Sequence, residues 1–232
     1  MLSKPKIIEK WQKRNRFGRP GTTLITKKIA IHYTGQADVE GWRTVSYFNN
    51  VVANGYKVNG KYVYASSHYV IDLDGTIFQL IPTSEQCYAT NSANKYAIAI
   101  EVATTGLDNH YTDETYKSMV HLCAWLCQYK GLDCKTDIIT HTDVVGKAYK
   151  LCPIYMVKNP HKMTQFKTDC HNLKSGKITL DNIINCTSPD YIKNSSTSPL
   201  PKMIKVKKDV NYRKYPDFKT SSIAGVAKAG DI

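Results

Sequence analysis

Two segments, KIAIHY at residues 28–33 and YAIAIEV at 96–102, are apolar almost throughout and rich in isoleucine. A strand with one wet face alternates apolar and polar residues, whereas one covered on both faces has no need to. These segments therefore require a sheet buried under helices, and they exclude an open antiparallel ribbon. Each ends on a residue foreign to an apolar interior, His32 in the first and Glu101 in the second. A third run, at 137–140, delivers His141 at the head of THTDVVGKAYKLCP, residues 140–153, which also carries Lys150 and Cys152.

The rest of the chain supplies the covering layers. Residues 1–23 are basic and broken by Gly18, Pro20 and Gly21, so they read as an irregular arm laid over the domain. Val45, Phe48, Val51 and Val52 are spaced for one face of a helix that Gly55 can stop in a left-handed conformation. Residues 67–71 and 76–81 flank Asp74-Gly75, a strong hairpin signal. Thr112 is a helix N-cap with Asp113 and Glu114 behind it, and the apolar stripe through Tyr116, Met119, Val120, Cys123, Leu126 and Cys127 runs to Gly131. Cys123 and Cys127 could form an i, i+4 metal pair, but they continue that stripe and read as core. Met163, Phe166, Cys170 and Leu173 predict a closing helix from Pro160. The expectation is an α/β domain over 1–173, with a central mixed sheet flanked by helices.

Residues 174–201 are rich in Ser, Thr, Asn and Pro and read as a linker; 202–232 show short strand-like runs at 204–210, at Tyr212 and at 223–227. Some thirty residues are too few for an independent β domain, so this segment looks like part of one. Seven dispersed cysteines do not make a disulfide scaffold, and most read as reduced thiols. The Asn185-Cys186-Thr187 sequon reads as chance. No apolar run is long enough to span a bilayer, and the basic start leads into polar sequence, so no signal peptide is expected. The net charge of +13, concentrated near both ends, favours a polyanionic partner without naming it.

Catalytic zinc takes three protein ligands from His, Cys, Asp or Glu and leaves a position open. His32, His141 and Cys152 supply that number, with His68 an alternative ligand; His110, His121, His161 and His171 lie in polar or helical surroundings and read as surface groups. Zinc polarises a carbonyl and makes hydroxide available near neutral pH, which suits amide hydrolysis. Glu101 would then move the water's proton to the leaving amine, and Lys150 would set positive charge where an oxyanion develops.

The ordered set IAIHYTG (29–35), SSHYVIDLDGTIFQLIP (66–82), YAIAIEV (96–102), THTDV (140–144) and KLCP (150–153) resembles the zinc-dependent N-acetylmuramoyl-L-alanine amidases of the amidase-2 family, whose fold phage endolysins and peptidoglycan-recognition proteins share. The likeness covers about residues 10–173. It implies His32, His141 and Cys152 as zinc ligands, Glu101 and Lys150 as catalytic residues, and peptidoglycan as substrate. Some phage members carry a tyrosine where this chain has Ser67; the glutamate-containing subgroup matches better, and Tyr69 is left to packing or the groove wall. The tail from Met203 looks like half of a bacterial SH3-like wall-binding domain. The enzyme would be made in the cytoplasm and act on the cell wall, its basic ends near anionic wall polymers. Two other classes stay open: a non-catalytic peptidoglycan-binding protein of the same fold, and a nucleic-acid-binding protein, for which no specific motif is present.

Overall fold

The computed structural model describes residues 1–183 and the strands Val210–Arg213 and Ile223–Ala227. The chain divides into two units, 1–191 and 192–232. In the first, the strands are β1 (Ile7–Glu9), β2 (Lys28–Ala37), β3 (Lys57–Val58), β4 (Lys61–Tyr62), β5 (Tyr69–Ile71), β6 (Ile77–Gln79), β7 (Ala97–Thr104) and β8 (Ile138–Thr140). The helices are α1 (Gly41–Ser46), α2 (Asp113–Lys130), α3 (His141–Val145), α4 (Ile154–Lys158) and α5 (Pro160–Lys174). In the second unit Val210–Arg213 (β9) and Ile223–Ala227 (β10) pair antiparallel. The remaining expectations for 184–232, including the sequon and residues 204–209 of the run at 204–210, lie outside the described residues.

Six strands form one mixed sheet in the order β1-β6-β5-β7-β2-β8. Only the β5–β6 hairpin is antiparallel; the other neighbours are parallel. The turn of that hairpin needs its glycine twice over: Gly75 has φ +79°, and a Cβ there would lie 2.7 Å from the Glu114 carbonyl oxygen of α2. β2 and β7, the two apolar segments, lie side by side within the sheet, as their composition requires.

One face carries the main core. Ile29, Ile31, Ile98, Ile100 and Val102 meet Met119, Cys123 and Leu126 of α2 and Phe166 and Cys170 of α5. α2 is capped as its sequence predicts: Thr112 Oγ1 accepts from the Thr115 N–H at 3.0 Å, and Gly131 ends it at φ +68°. Tyr116 donates its hydroxyl to Asp169 at 2.7 Å, tying α2 to α5. Cys123 and Cys127 are buried core, and the six cysteines among the described residues are unpaired thiols.

Three local expectations change. The arm is not wholly irregular, because Ile7–Glu9 adds to β6 as an edge strand; three residues are too few to show a period, and the free sheet edge supplies their partners. The helix after Asp38 is broken: α1 runs into a π turn at Tyr47–Val51 and a 3-10 turn at Val52–Asn54. The extra residue of the π turn leaves Val45, Phe48 and Val52 inside and turns Val51 out, to 39% exposure. The stretch read as linker from 174 begins by packing: Ile178 and Leu180 lie on the main core and Ile183 is buried in it.

α1 has no cap of its own. Buried Asp72, from the hairpin, accepts from the N–H groups of Gly41 (2.5 Å), Trp42 (3.0 Å) and Leu73 (2.7 Å). Asp72→Ala leaves these donors, the buried Gly41 N–H among them, without their acceptor and should lower the unfolding free energy by about 1–3 kcal/mol in urea titrations, with the m-value unchanged.

Candidate metal centre

His32, Glu101 and His141 leave the sheet at one level. In the parallel pairing of β2 with β7, His32 stands opposite Glu101; in that of β2 with β8, Ile31 stands opposite Thr140, the residue before His141. Side chains alternate along a strand, so His32 and Glu101 share a face with Ala30 and Ala99, away from the main core filled by Ile29, Ile31, Ile98 and Ile100. Alanine at these positions keeps that face shallow below the site.

Cys152 arrives by a tight return. Thr140 begins α3 in a reciprocal capping box with Asp143. Thr142 then staples the loop: its hydroxyl donates to the Lys150 carbonyl at 2.8 Å and accepts from the Cys152 N–H at 2.7 Å, while its own N–H donates to the Cys152 carbonyl at 3.1 Å. The Cys152–Pro153 peptide bond is cis. The result is a cluster of three buried residues, His32, His141 and Cys152, each offering a donor atom within 4.8 Å of the others. Among the described residues this is the only such group of His, Cys, Asp or Glu.

The rings are held from behind. His32 Nε2 lies 2.9 Å from Thr90 Oγ1, and His141 Nε2 lies 2.7 Å from Asn91 Oδ1. Their other nitrogens face the cluster: His32 Nδ1 is 3.7 Å from Cys152 Sγ and 4.0 Å from a Glu101 carboxylate oxygen. His141 Nδ1 and the second oxygen of Glu101 are buried without a hydrogen-bond partner. Orphaned buried polar atoms are costly in a finished interior. Two imidazole nitrogens and a sulfur converging beside an unsatisfied carboxylate fit a zinc ion in donor type and number.

Burial sets the electrostatics. It holds His32 well below the usual imidazole range, with the charges of His141 and Lys150 adding to the effect. It lowers His141 to about 4, again reinforced by Lys150. It raises Glu101 to about 8, partly offset by Lys150. Burial and then the Glu101 charge push the Cys152 thiol up to about 12, so a metal bound there would displace its proton. Lys150 itself is exposed and acts on the cluster through its field.

His68 leaves the list of alternative ligands. Its Nδ1 accepts from the Ala99 N–H at 3.0 Å and lies 3.3 Å from Cys87 Sγ, and its Nε2 lies 2.8 Å from the Glu85 carbonyl oxygen. Both nitrogens are spent on holding the sheet. Tyr69 is 1% exposed in the main core, which assigns it to packing rather than to a groove wall. Nothing in the sequence marks Thr90, Asn91 and Thr142, because they carry no charge and fall on no apolar period.

Residues 22–154 match the profile of the family described as N-acetylmuramoyl-L-alanine amidase. Among curated proteins, the chain is 28% identical over 184 residues to "N-acetylmuramoyl-L-alanine amidase BlyA" of Bacillus subtilis (strain 168), covering 70% of this chain and 46% of that one. It thus spans about half the length of that relative. Among solved structures it is similar to a mutant endolysin from Bacillus subtilis (TM-score 0.56, 20% identity, 73% of this chain and 99% of that one). It is also similar to PlyL (TM-score 0.58, 19% identity, 75% and 100%). The fold is that of these endolysin catalytic domains, as the sequence led one to expect.

The shifted groups make the stability of chelator-treated protein depend on pH from two sides. Below the ordinary imidazole value the unfolded chain takes up protons that buried His32 and His141 refuse, so stability falls as pH drops from about 6.5 toward 4. Above the ordinary carboxylate value the unfolded chain releases a proton that Glu101 keeps, so this residue's contribution falls as pH rises through about 4.5 to 8. Urea titrations of the metal-free protein and its Glu101→Gln variant at about pH 5 and pH 8 should show the variant gaining on the parent toward the alkaline end. A constant difference between the two would contradict the burial of that carboxylate.

Proposed function

The chain belongs to the N-acetylmuramoyl-L-alanine amidase family, and on that premise we propose that it is a peptidoglycan hydrolase of endolysin type, cutting the amide between N-acetylmuramic acid and the L-alanine of the stem peptide. The observation that carries the reading is the convergence of His32, His141 and Cys152 beside the unsatisfied carboxylate of Glu101. In this reading His32, His141 and Cys152 hold one zinc ion. Bound zinc supplies Lewis acidity toward the scissile carbonyl and acidifies water near neutral pH.

The chain's own residues do the rest. Thr90 and Asn91 orient the two imidazoles, and the Thr142 staple sets the cysteine. Glu101 takes the proton of the attacking water and returns it to the leaving nitrogen, work for which its carboxylate is placed beside the three donor residues. Lys150, flexible and exposed, places its ammonium where negative charge builds on the carbonyl oxygen.

The partner is bacterial peptidoglycan, with anionic wall polymers drawn to the basic ends and less so at high salt. The catalytic part is assigned to 1–173, its edge extended by the packed residues to Ile183. Residues 202–232 are proposed as part of an SH3-like wall-binding module, joined through 174–201. No helix among the described residues is long and apolar enough to cross a membrane.

Purified cell walls incubated with the protein should yield new N-terminal alanine, and chelation should stop the release until zinc is restored. Glu101→Gln should reduce kcat by about 10²–10⁴ while zinc still binds. Lys150→Ala should lower kcat by about 10²-fold with little change in KM. Bond cleavage indifferent to chelator and to Glu101→Gln would sink the mechanism, and wall binding without any cleavage would favour a recognition protein of the same fold.

A further inference from the structure

The loop before β7 does something that the three donor residues do not require of it. Adjacent residues Thr90 and Asn91 each meet the rear nitrogen of a different histidine, Thr90 Oγ1 at His32 Nε2 (2.9 Å) and Asn91 Oδ1 at His141 Nε2 (2.7 Å). Those histidines come from different elements, β2 and the start of α3, and fifty or more positions of chain separate each from its partner. The loop is built to hold this pose. Asn94 Oδ1 accepts from the N–H groups of Ala89 (3.0 Å) and Thr90 (2.6 Å), pinning the backbone on one side. Asn91 sits at φ +50°, a left-handed conformation that an L residue adopts at a cost. Thr90 is 1% exposed and Ala93 fully buried, so the segment is anchored and not a loose surface turn.

The chemistry of the partner atoms decides the tautomer. A carboxamide oxygen only accepts, so the Asn91 contact requires His141 to carry its proton on Nε2 and leaves Nδ1 as a lone pair. That Nδ1 is the buried atom without a partner. Thr90 can accept in the same way from His32, whose Nδ1 faces Cys152 and Glu101. We infer that Thr90 and Asn91 form a two-residue bracket that fixes both imidazoles as Nε2–H tautomers and presents both Nδ1 atoms, already aimed, to the metal. They are positioning residues, and the inference rests on the zinc-site reading above.

A polar residue that shapes the loop alone would affect folding; a bracket affects metal affinity. The test uses the full chain, stripped of metal, with zinc affinity read by competition against a chelating dye and thermal stability read in the metal-free state. Asn91→Gly keeps the left-handed backbone at no steric cost but removes the acceptor. Relief of the left-handed backbone partly offsets the lost acceptor, so it should lower the metal-free Tm by no more than a few degrees while weakening zinc binding by about 10–100-fold. Asn91→Asp restores an acceptor oxygen and should bind within about threefold of the parent. Thr90→Val should lose affinity comparably, and Thr90→Ser should recover it. If the parent binds zinc tightly and Asn91→Gly and Thr90→Val bind within about twofold of it, the bracket is wrong and the site reading survives. Failure of the parent itself to bind zinc stoichiometrically would remove both.

Discussion

The parallel pairing of β2 with β7 on one side and β8 on the other is the constraint from which the site follows. Parallel strands keep their residues in step, so groups standing at one level of three neighbours meet without any long-range steering. Here the register sets His32 against Glu101 and brings His141 up beside them. A slip of one residue in β2 would turn His32 toward the isoleucine core and disperse the cluster.

Burial gives the cluster its chemical character and also makes it expensive. The surroundings that raise Glu101 to about 8 and lower His141 to about 4 disfavour every charged form in the site. Such groups remain inside only because the scaffold holds them: the β7 and β2 backbones from below, the Thr142 staple around Cys152, and the loop carrying Thr90 and Asn91 behind the rings. Ala30 and Ala99 contribute by being small, while the isoleucines on the far face seat the sheet on α2 and α5.

What could be read in the sequence was what local chemistry decides alone. The apolar runs announced the inner strands, the Thr112 cap and Gly131 bounded α2, and Asp74-Gly75 marked the hairpin. The alternation of isoleucine and alanine in KIAI and AIAI was also there to be read as two unequal faces, although both runs look merely apolar at first sight. Elements that take their stability from a partner stayed hidden. β1 exists because β6 leaves an edge unpaired, and α1 is capped by an aspartate thirty residues downstream.

The sequence by itself determined that the chain builds a covered sheet and that His32, Glu101 and His141 stand where its apolar runs close, with Cys152 in the segment after the last, because hydrophobic period and strand length are local properties. Only the tertiary structure decided that His68, equally plausible on spacing, is bound up in the sheet, and that Thr90 and Asn91 stand behind the two histidines. Strand register and the path of a polar loop depend on pairings between residues far apart in the chain. No stretch of sequence specifies such a pairing until the sheet has closed around it.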